Sequence, residues 1–224
     1  MKPTSAMIFA AGFGTRMGEL TNNTPKPMIS VGGRPMIEYA INWSINAGLT
    51  KIVANTHHLA DQLESYLKPK GVRTSLEAPK ILETGGGLKA ALPLLGSGPV
   101  VTLNSDAMLS GPNPVNFLLK HWQPHMQALL LLVPKSQALT SRDTADFSLE
   151  HGEISRNGDY FYIGIQILNP ARLSEIEGAS FSLNQYWDLL AKSAPLNGLV
   201  YPGTWCDVGD PQGLLMAEKM LADV

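Results

Sequence analysis

The 224 residues carry a formal net charge of −2, include 44% hydrophobic residues and contain one cysteine, Cys206. This composition is typical of a single globular domain and excludes an intrinsically disordered chain. It also excludes a broad basic surface for nucleic acid, although a local basic pocket is compatible with the charge. One cysteine cannot form an internal disulfide, so we expect a reducing, cytoplasmic compartment.

Two apolar runs are too short for membrane targeting or insertion. Residues 6–11 fall short of the hydrophobic region of a signal peptide, and residues 128–133 fall far short of a membrane span. We therefore expect no membrane partner. We also expect the chain to be a monomer or a weak homo-oligomer.

Strand and helix patterns alternate through the first 134 residues. We expect strands at 6–10, 51–55, 72–76, 100–103 and 128–133, and helices at 35–47, 59–67, 88–95 and 114–122. Residues 12–27 contain three glycines and two prolines, which predicts a long loop rather than a helix. This order is typical of an α/β fold, with a Rossmann-like, mostly parallel sheet flanked by helices.

The pattern changes after Pro134. Residues 135–160 are polar, with short strand-like pieces around a turn at His151–Gly152. They indicate a hairpin lobe inserted into a single domain that spans 1–224. Beyond the lobe, we expect a strand at 161–168, a helix at 182–192, a short strand at 199–201 and a closing helix at 211–221.

A glycine-rich motif follows the first predicted strand. It comprises Ala10, Ala11, Gly12, Gly14, Thr15 and Arg16, and Thr24–Pro25–Lys26–Pro27 comes shortly after. Glycines at a strand end let phosphate approach backbone N–H groups, and Arg16 and Lys26 would add positive charge there. The motif lacks the Gly-Lys-Ser/Thr ending of a P-loop, and its prolines block the helix that directly follows a Rossmann fingerprint.

A second glycine motif, Glu83–Thr84–Gly85–Gly86–Gly87, opens the helix predicted at 88–95. Glycines at the start of a helix allow the backbone to come close to a ligand. A tight turn with no ligand is the alternative interpretation.

Two aspartates lie beside predicted strands. Asp106 follows the strand at 100–103, in the segment Asn104–Ser105–Asp106, and Asp207 lies within Trp205–Cys206–Asp207–Val208–Gly209. Ligands of open α/β sheets bind beyond the carboxyl ends of the strands, where Asp106 lies. Asp210 is better placed than Asp207 to cap the closing helix, which leaves Asp207 free to bind a metal ion.

Residues 10–27 resemble the signature of the sugar nucleotidyltransferase family, Ala-Ala-Gly-x-Gly-Thr-Arg-Met followed by Thr-x-x-x-Pro-Lys-Pro. Residues 205–209 resemble the family's Trp-x-Asp-Val-Gly-Thr, although Asp210 replaces the threonine. Ser105 replaces a usual glycine or alanine. The resemblance covers nearly the whole chain and is weakest at 136–158. It implies a nucleotide-diphospho-sugar transferase fold with a small β-rich lobe on the sugar side.

The resemblance also implies an enzyme that joins a nucleoside triphosphate to a sugar 1-phosphate and releases pyrophosphate. Arg16 would hold the leaving phosphates, and Lys26 would neutralise the α-phosphate. Asp106 and Asp207 would bind Mg²⁺, the expected cofactor. The nucleotide would contact Ala10, Ala11, Gly12, Gly14, Thr15, Glu83, Gly85, Gly86 and Ser105, and the sugar would contact Asn104, Tyr162 and Gly164.

Within this family, the short chain and the motif at 83–87 resemble the bacterial uridylyltransferases of cell-wall recycling, which act on N-acetylmuramate 1-phosphate. Mannose-1-phosphate guanylyltransferases are the alternative. The chain lacks the Glu-Lys-Pro segment whose lysine meets the sugar phosphate in related enzymes, so we expect Lys135 or Arg142 to replace it. The lactyl carboxylate of N-acetylmuramate would need a further cation, such as Arg142 or Arg156.

Two other functions fit parts of the sequence. A non-catalytic, nucleotide-sensing regulatory homologue would share the fold, but such proteins lose the arginine, the lysine or an aspartate that this chain keeps. A choline-phosphate cytidylyltransferase would need an aromatic cage, for which only Tyr160, Phe161 and Tyr162 cluster. Trp187 lies in a helical pattern and is predicted to be a packing residue.

Overall fold

The computed structural model describes residues 1–222. The strands are β1 (Ser5–Phe9), β2 (Ser30–Val31), β3 (Arg34–Pro35), β4 (Lys51–Thr56), β5 (Arg73–Leu76), β6 (Val100–Asn104), β7 (Ala107–Ser110), β8 (Ala128–Pro134), β9 (Ala138–Leu139), β10 (Phe147–Glu150), β11 (Glu153–Arg156), β12 (Tyr160–Leu168), β13 (Leu196–Val200) and β14 (Thr204–Asp207). The helices are α1 (Met36–Asn46), α2 (Ala60–Leu67), α3 (Glu83–Leu95), α4 (Pro114–His121), α5 (Leu183–Ala191) and α6 (Pro211–Ala222). Within residues 1–222, no helix has the length and apolar character needed to cross a membrane.

A nine-stranded sheet forms the centre of the molecule. Its order is β10-β11-β13-β8-β12-β6-β1-β4-β5. Strands β6, β1, β4 and β5 run parallel to one another, as do β8 and β13. Strand β12 lies antiparallel between β6 and β8. The predicted α/β fold is therefore confirmed, with a parallel half and a mixed half that meet at β12.

Helices cover both faces of this sheet, because its strands are apolar on both sides. In β1, Ala6 and Ile8 pack toward α1, α2 and α4, whereas Met7 packs toward α3 and α5. Alternate side chains of a strand point to opposite faces, so one short run contributes to both cores.

A smaller sheet, β7-β14-β9, lies beside the large one. Strands β7 and β14 are the main elements that the sequence patterns missed, and they pair with each other although they lie far apart in the chain. Helix α6 packs on this sheet through Ala217 and Met220, which share a core with Cys206. Asp210 caps α6 as predicted, since its Oδ1 accepts from the N–H of Gly213 at 2.8 Å.

The glycine-rich loop contains more local structure than predicted. Short 3₁₀ helices cover Thr15–Thr21 and Lys26–Met28, so the expectation of an irregular loop over 12–27 is wrong in part. No α-helix forms, because Gly14 adopts φ 66° and Gly18 adopts φ 59° with ψ −132°. Both conformations interrupt a right-handed helix and favour glycine.

Residues 147–156 form the hairpin expected near His151–Gly152, with β10 and β11 antiparallel. The hairpin is joined to the large sheet, because β11 pairs with β13 and β10 pairs with β12 at Phe147 and Tyr160. It therefore extends the edge of the mixed half, and its last residue, Arg156, lies beside α5.

Candidate active site

A cavity of about 300 Å³ opens at the carboxyl ends of β1 and β6; we call it the glycine-loop cavity. Its lining includes most of the residues that the sequence predicts for the nucleotide and phosphates: Ala10, Ala11, Gly12, Gly14, Thr15, Arg16, Lys26, Glu83, Ser105 and Asp106. The topology brings these separate segments together because β1 and β6 are parallel neighbours that end at the same edge.

Buried hydrogen bonds hold the walls of the glycine-loop cavity. The N–H of Ala10 donates to Asn55 Oδ1 at 2.7 Å, and Asn55 Nδ2 donates to Glu77 Oε1 at 2.7 Å. The second carboxylate oxygen of Glu77 accepts from the N–H of Leu82 at 2.6 Å. Glu77 is 1% exposed, so this chain links the first glycine motif to the segment before α3 through the protein interior. Asn55 itself lines the cavity, and the sequence pointed to it only as a polar residue ending the second strand.

A second cavity of about 420 Å³ lies on the mixed half of the sheet; we call it the arginine cavity. Its lining includes Arg16, Thr84, Asn104, Asp106, Arg142, Asp146, Phe147, Arg156, Tyr162, Gly164, Asn184, Trp187, Trp205 and Asp207. Four residues, Arg16, Thr84, Asn104 and Asp106, line both cavities. The two cavities are therefore one continuous cleft, with Asp106 at their junction.

Asp106 and Asp207 lie side by side at this junction. Asp207 pairs with Ala107 across β14 and β7, and the N–H of Val208 donates to the carbonyl of Asp106 at 3.1 Å. Lys26 Nζ contacts Asp106 Oδ2 at 2.5 Å. The short strands β7 and β14 thus bring together two carboxylates that are a hundred residues apart in the chain.

The electrostatics of Asp207 favour a nearby cation. Burial raises the pKa of Asp207, and the negative charge of Asp106 raises it further. The positive charges of Lys26, Arg16 and Arg142 act in the opposite direction. Among residues 1–222, no cluster of three or more His, Cys, Asp and Glu side chains forms a closed metal cage. Two carboxylates in an open cleft suit Mg²⁺, which binds one or two carboxylates and completes its shell with water and phosphate.

Arg16 packs against the backbone of Gly209. A Cβ atom on Gly209 would lie 2.8 Å and 2.9 Å from the two terminal nitrogens of the Arg16 guanidinium. Because it has no side chain, Gly209 leaves the space in which the Arg16 side chain lies. Arg16 and Gly209 belong to separate sequence motifs, and only the fold shows that Gly209 makes room for Arg16.

Gly164 makes similar room for Asn104. It has φ 77° and lies where the register of β12 against β8 shifts, between Tyr162 and Gln166. A Cβ there would lie 2.7 Å from Asn104 Nδ2, so the position needs glycine for its backbone and for its neighbour. Gly164 also lines the arginine cavity, and its predicted contact with the sugar stays a prediction.

Gly85 and Gly86 lie in neither cavity lining. Their N–H groups donate to the carbonyl of Phe181 at 2.9 Å and 3.0 Å. A Cβ on Gly85 would lie 2.5 Å from the Phe181 ring, and one on Gly86 would lie 2.0 Å from the carbonyl oxygen of Ala179. These glycines therefore seat the segment before α5, and their position does not support the predicted contact with a nucleotide.

The neighbouring Thr84 connects this packing to the cleft. Its Oγ1 accepts from the N–H of Leu183 at 3.0 Å, at the start of α5. Glu83, at φ 59°, also lines the glycine-loop cavity. The second glycine motif thus holds α5, which supplies Asn184 and Trp187 to the arginine cavity. The sequence suggested only packing for Trp187, and no motif marked Asn184.

The geometry also bears on the expected aromatic cage and on the two cations expected near the sugar phosphate, Lys135 and Arg142. Phe161 packs in the core on one sheet face, whereas Tyr160 and Tyr162 pack on the other, so the three aromatics cannot form a cage. Lys135 lines neither cavity and pairs with the exposed Asp159 at 3.4 Å. Arg142, the other candidate for the sugar phosphate, lines the arginine cavity and pairs with Asp146.

Comparison with known proteins agrees with this geometry. Residues 6–196 match the model of the MobA-like NTP transferase domain. The chain is 34% identical to N-acetylmuramate alpha-1-phosphate uridylyltransferase of Caulobacter vibrioides, over 99% of this chain and 98% of the relative. It is 33% identical to the enzyme of that name from Neisseria meningitidis serogroup B, over 91% of this chain and 92% of the relative. A solved UDP-glucose pyrophosphorylase bound to UDP-glucose has the same fold, with a TM-score of 0.77, 19% identity and 99% coverage of both chains. The chain therefore belongs to the MobA-like NTP transferase domain family and is a nucleotidyltransferase.

Proposed function

We propose that the protein transfers a uridylyl group from UTP to N-acetylmuramate 1-phosphate, giving the UDP-sugar and pyrophosphate. The observation that carries this proposal is the continuous cleft in which two cavities meet at Asp106. A transferase needs two substrates whose reacting phosphates meet at one point. The glycine-loop cavity would bind the nucleotide, and the arginine cavity would bind the sugar phosphate.

The residues at the junction suit a reaction that depends on positioning and charge. An oxygen of a sugar phosphate is a nucleophile at neutral pH, and it attacks the α-phosphorus in line as pyrophosphate leaves. Nucleotidyl transfer needs little more than alignment and neutralisation of the developing charge. Arg16 would hold the leaving phosphates, and Lys26, beside Asp106, would bring its charge to the α-phosphate.

Asp106 and Asp207 would hold Mg²⁺, which neutralises phosphate charge and helps to align the two reacting groups. The raised pKa of Asp207 supports this assignment, because a cation between the carboxylates would relieve their repulsion. The retention of both carboxylates, Arg16 and Lys26 argues for catalysis rather than a sensing role without turnover.

The choice of substrates rests on two supports. The relatives at 33% and 34% identity, which align along nearly their full length, are named for uridylyl transfer to N-acetylmuramate 1-phosphate. Arg142 supplies a cation in the arginine cavity, which also includes Asp106 and Asp207, and it would take the role of the missing Glu-Lys-Pro lysine. We place the reaction in the cytoplasm, where its triphosphate substrate is found.

A panel of nucleoside triphosphates against sugar 1-phosphates, read by pyrophosphate release in Mg²⁺, tests the proposal. UTP with N-acetylmuramate 1-phosphate should exceed GTP with mannose 1-phosphate by at least about tenfold in kcat/KM, a gap of about 1.4 kcal/mol. Omission of the metal with a chelator should abolish release. A reversed order of the two pairs would replace the uridylyl assignment with guanylyl transfer.

A further inference from the structure

The guanidinium groups of Arg142 and Arg156 both line the arginine cavity, but they contact different residues. Arg142 lies near Asp207, because its guanidinium stands 5.1 Å from the centroid of the Phe161 ring, which packs 5.9 Å from the ring of Trp205 in the strand that carries Asp207. Arg156 donates hydrogen bonds to Asn184 and Asp188, which both belong to α5. Arg156 therefore lies in the part of the arginine cavity that α5 lines.

Arg156 is held in a fixed orientation at that end. Its Nη1 donates to Asn184 Oδ1 at 2.7 Å, and its Nη2 donates to Asp188 Oδ1 at 2.9 Å. The guanidinium stands over the rings of Phe147 and Trp187, with 5.3 Å and 5.5 Å to the ring centroids. Stacking orients the planar group, and within residues 1–222 its Nε makes no recorded hydrogen bond.

The pair between Arg156 and Asp188 can open at small cost. Both side chains are exposed, Arg156 to 42% and Asp188 to 65%. Exposed ion pairs contribute little to stability, so an incoming carboxylate can compete for the guanidinium. Arginine suits this exchange because its fork of N–H donors matches a carboxylate in two parallel hydrogen bonds.

We propose that Arg156 forms a carboxylate subsite of the arginine cavity, which selects sugar 1-phosphates that carry a second anion on the sugar ring. This inference rests on the proposed function. The phosphate of such a substrate lies by the metal carboxylates and Arg142, and its ring extends toward α5. N-Acetylmuramate carries a lactyl ether with a carboxylate, whereas N-acetylglucosamine has a hydroxyl there. The two sugar 1-phosphates therefore differ only in the group that the subsite recognises.

The test compares these two substrates in the wild type, Arg156→Gln and Arg172→Gln, with saturating UTP and pyrophosphate release as the readout. Arg172 is a matched control, because it also pairs with a carboxylate, Glu175, and lines neither cavity. We expect the wild type to prefer N-acetylmuramate 1-phosphate. In Arg156→Gln, the ratio of kcat/KM for the two substrates should fall at least tenfold, mainly through KM of the muramate. In Arg172→Gln, the ratio should stay at the wild-type value.

The outcomes separate the subsite from the proposed function. If the wild type turns over N-acetylmuramate 1-phosphate and Arg156→Gln keeps the wild-type ratio, the subsite is wrong and the proposed function stands. An equal loss with both substrates also overturns the subsite, because it reports general damage to the cavity. If the wild type turns over neither sugar, the proposed function is wrong, and the subsite that rests on it falls as well.

Discussion

The glycine-loop cavity and the arginine cavity are built in different ways. The first is walled by the glycine loop of the parallel half together with Arg16 and Lys26, and buried hydrogen bonds through Asn55 and Glu77 hold its walls. The second is walled by long side chains of the mixed half, such as Arg142 and Arg156, whose ion pairs are partly exposed.

With the substrates placed as proposed, this difference would separate the residues that any nucleotidyl transfer needs from those that select the second substrate. Phosphates demand fixed donors and charges, which a stiff glycine loop supplies before the ligand arrives. A sugar pocket made of exposed ion pairs can change its residues at small cost to stability. We therefore expect substitutions on the glycine-loop side to affect every substrate, and those on the arginine side to discriminate among sugars.

The largest effect is expected at the junction of the cavities. Asp106→Asn keeps the size of the side chain but removes the charge that balances Lys26 and binds a cation. We expect kcat/KM to fall on the order of 1000-fold, the upper end for one preorganised electrostatic contact. The melting temperature should change little. Asp159→Asn is the matched control, because Asp159 is exposed and lines neither cavity. Near-normal turnover of Asp106→Asn in Mg²⁺ would contradict the metal assignment.

Arg16→Ala should lower kcat by about 100-fold, because its charge is needed as pyrophosphate develops. KM for the sugar phosphate should change much less, since kcat reports contacts that strengthen in the transition state. Arg34→Ala serves as a control, because Arg34 is exposed and lines neither cavity. If only KM for the sugar phosphate rises, Arg16 binds the sugar phosphate rather than the leaving phosphates of the nucleotide.

The substitutions Glu77→Gln and Asp188→Asn compare how much the polar contacts of each cavity contribute to the free energy of unfolding. Glu77 supports the glycine-loop cavity, and Asp188 pairs with Arg156 of the arginine cavity. The carboxylate of Glu77 accepts from Asn55 and Leu82, and an amide has only one acceptor oxygen for these two donors. One buried donor then loses its partner, which costs about 2 kcal/mol of unfolding free energy. Asp188→Asn should cost less than about 0.5 kcal/mol, since its ion pair is exposed. Urea denaturation measures both values, and equal costs would remove the proposed contrast between the cavities.

Gly209→Ala should have the smallest of the three effects on turnover. The new methyl group would lie within 3 Å of the Arg16 guanidinium, which can move because it ends a flexible side chain. We expect kcat to fall about tenfold, a change of about 1.4 kcal/mol, with the fold intact. In an Arg16→Ala background, the same substitution should add almost nothing, because it acts through Arg16. Additive losses in the double variant would show that Gly209 acts by another route.

The sequence predicted most strands and helices because their signals are local. The apolar run of β1 and the proline-initiated α4 and α6 were all recognisable from adjacent residues. Strands β7 and β14 were missed because each is short and pairs with the other from a distant part of the chain, which no local pattern shows. The glycines at 85 and 86 were recognised as special, but their packing against Phe181 involves a segment almost a hundred residues away.

The sequence by itself determined the α/β class, and it predicted a phosphate-binding first loop together with the charged residues of that loop. Those properties follow from residue types and short spacings, which act within a few turns of chain. Only the tertiary structure decided that Asp207 lies beside Asp106, that Gly209 makes room for Arg16, and that Arg142 and Arg156 line one cavity over different aromatic rings. These relations depend on the register and order of distant strands, which no local pattern encodes.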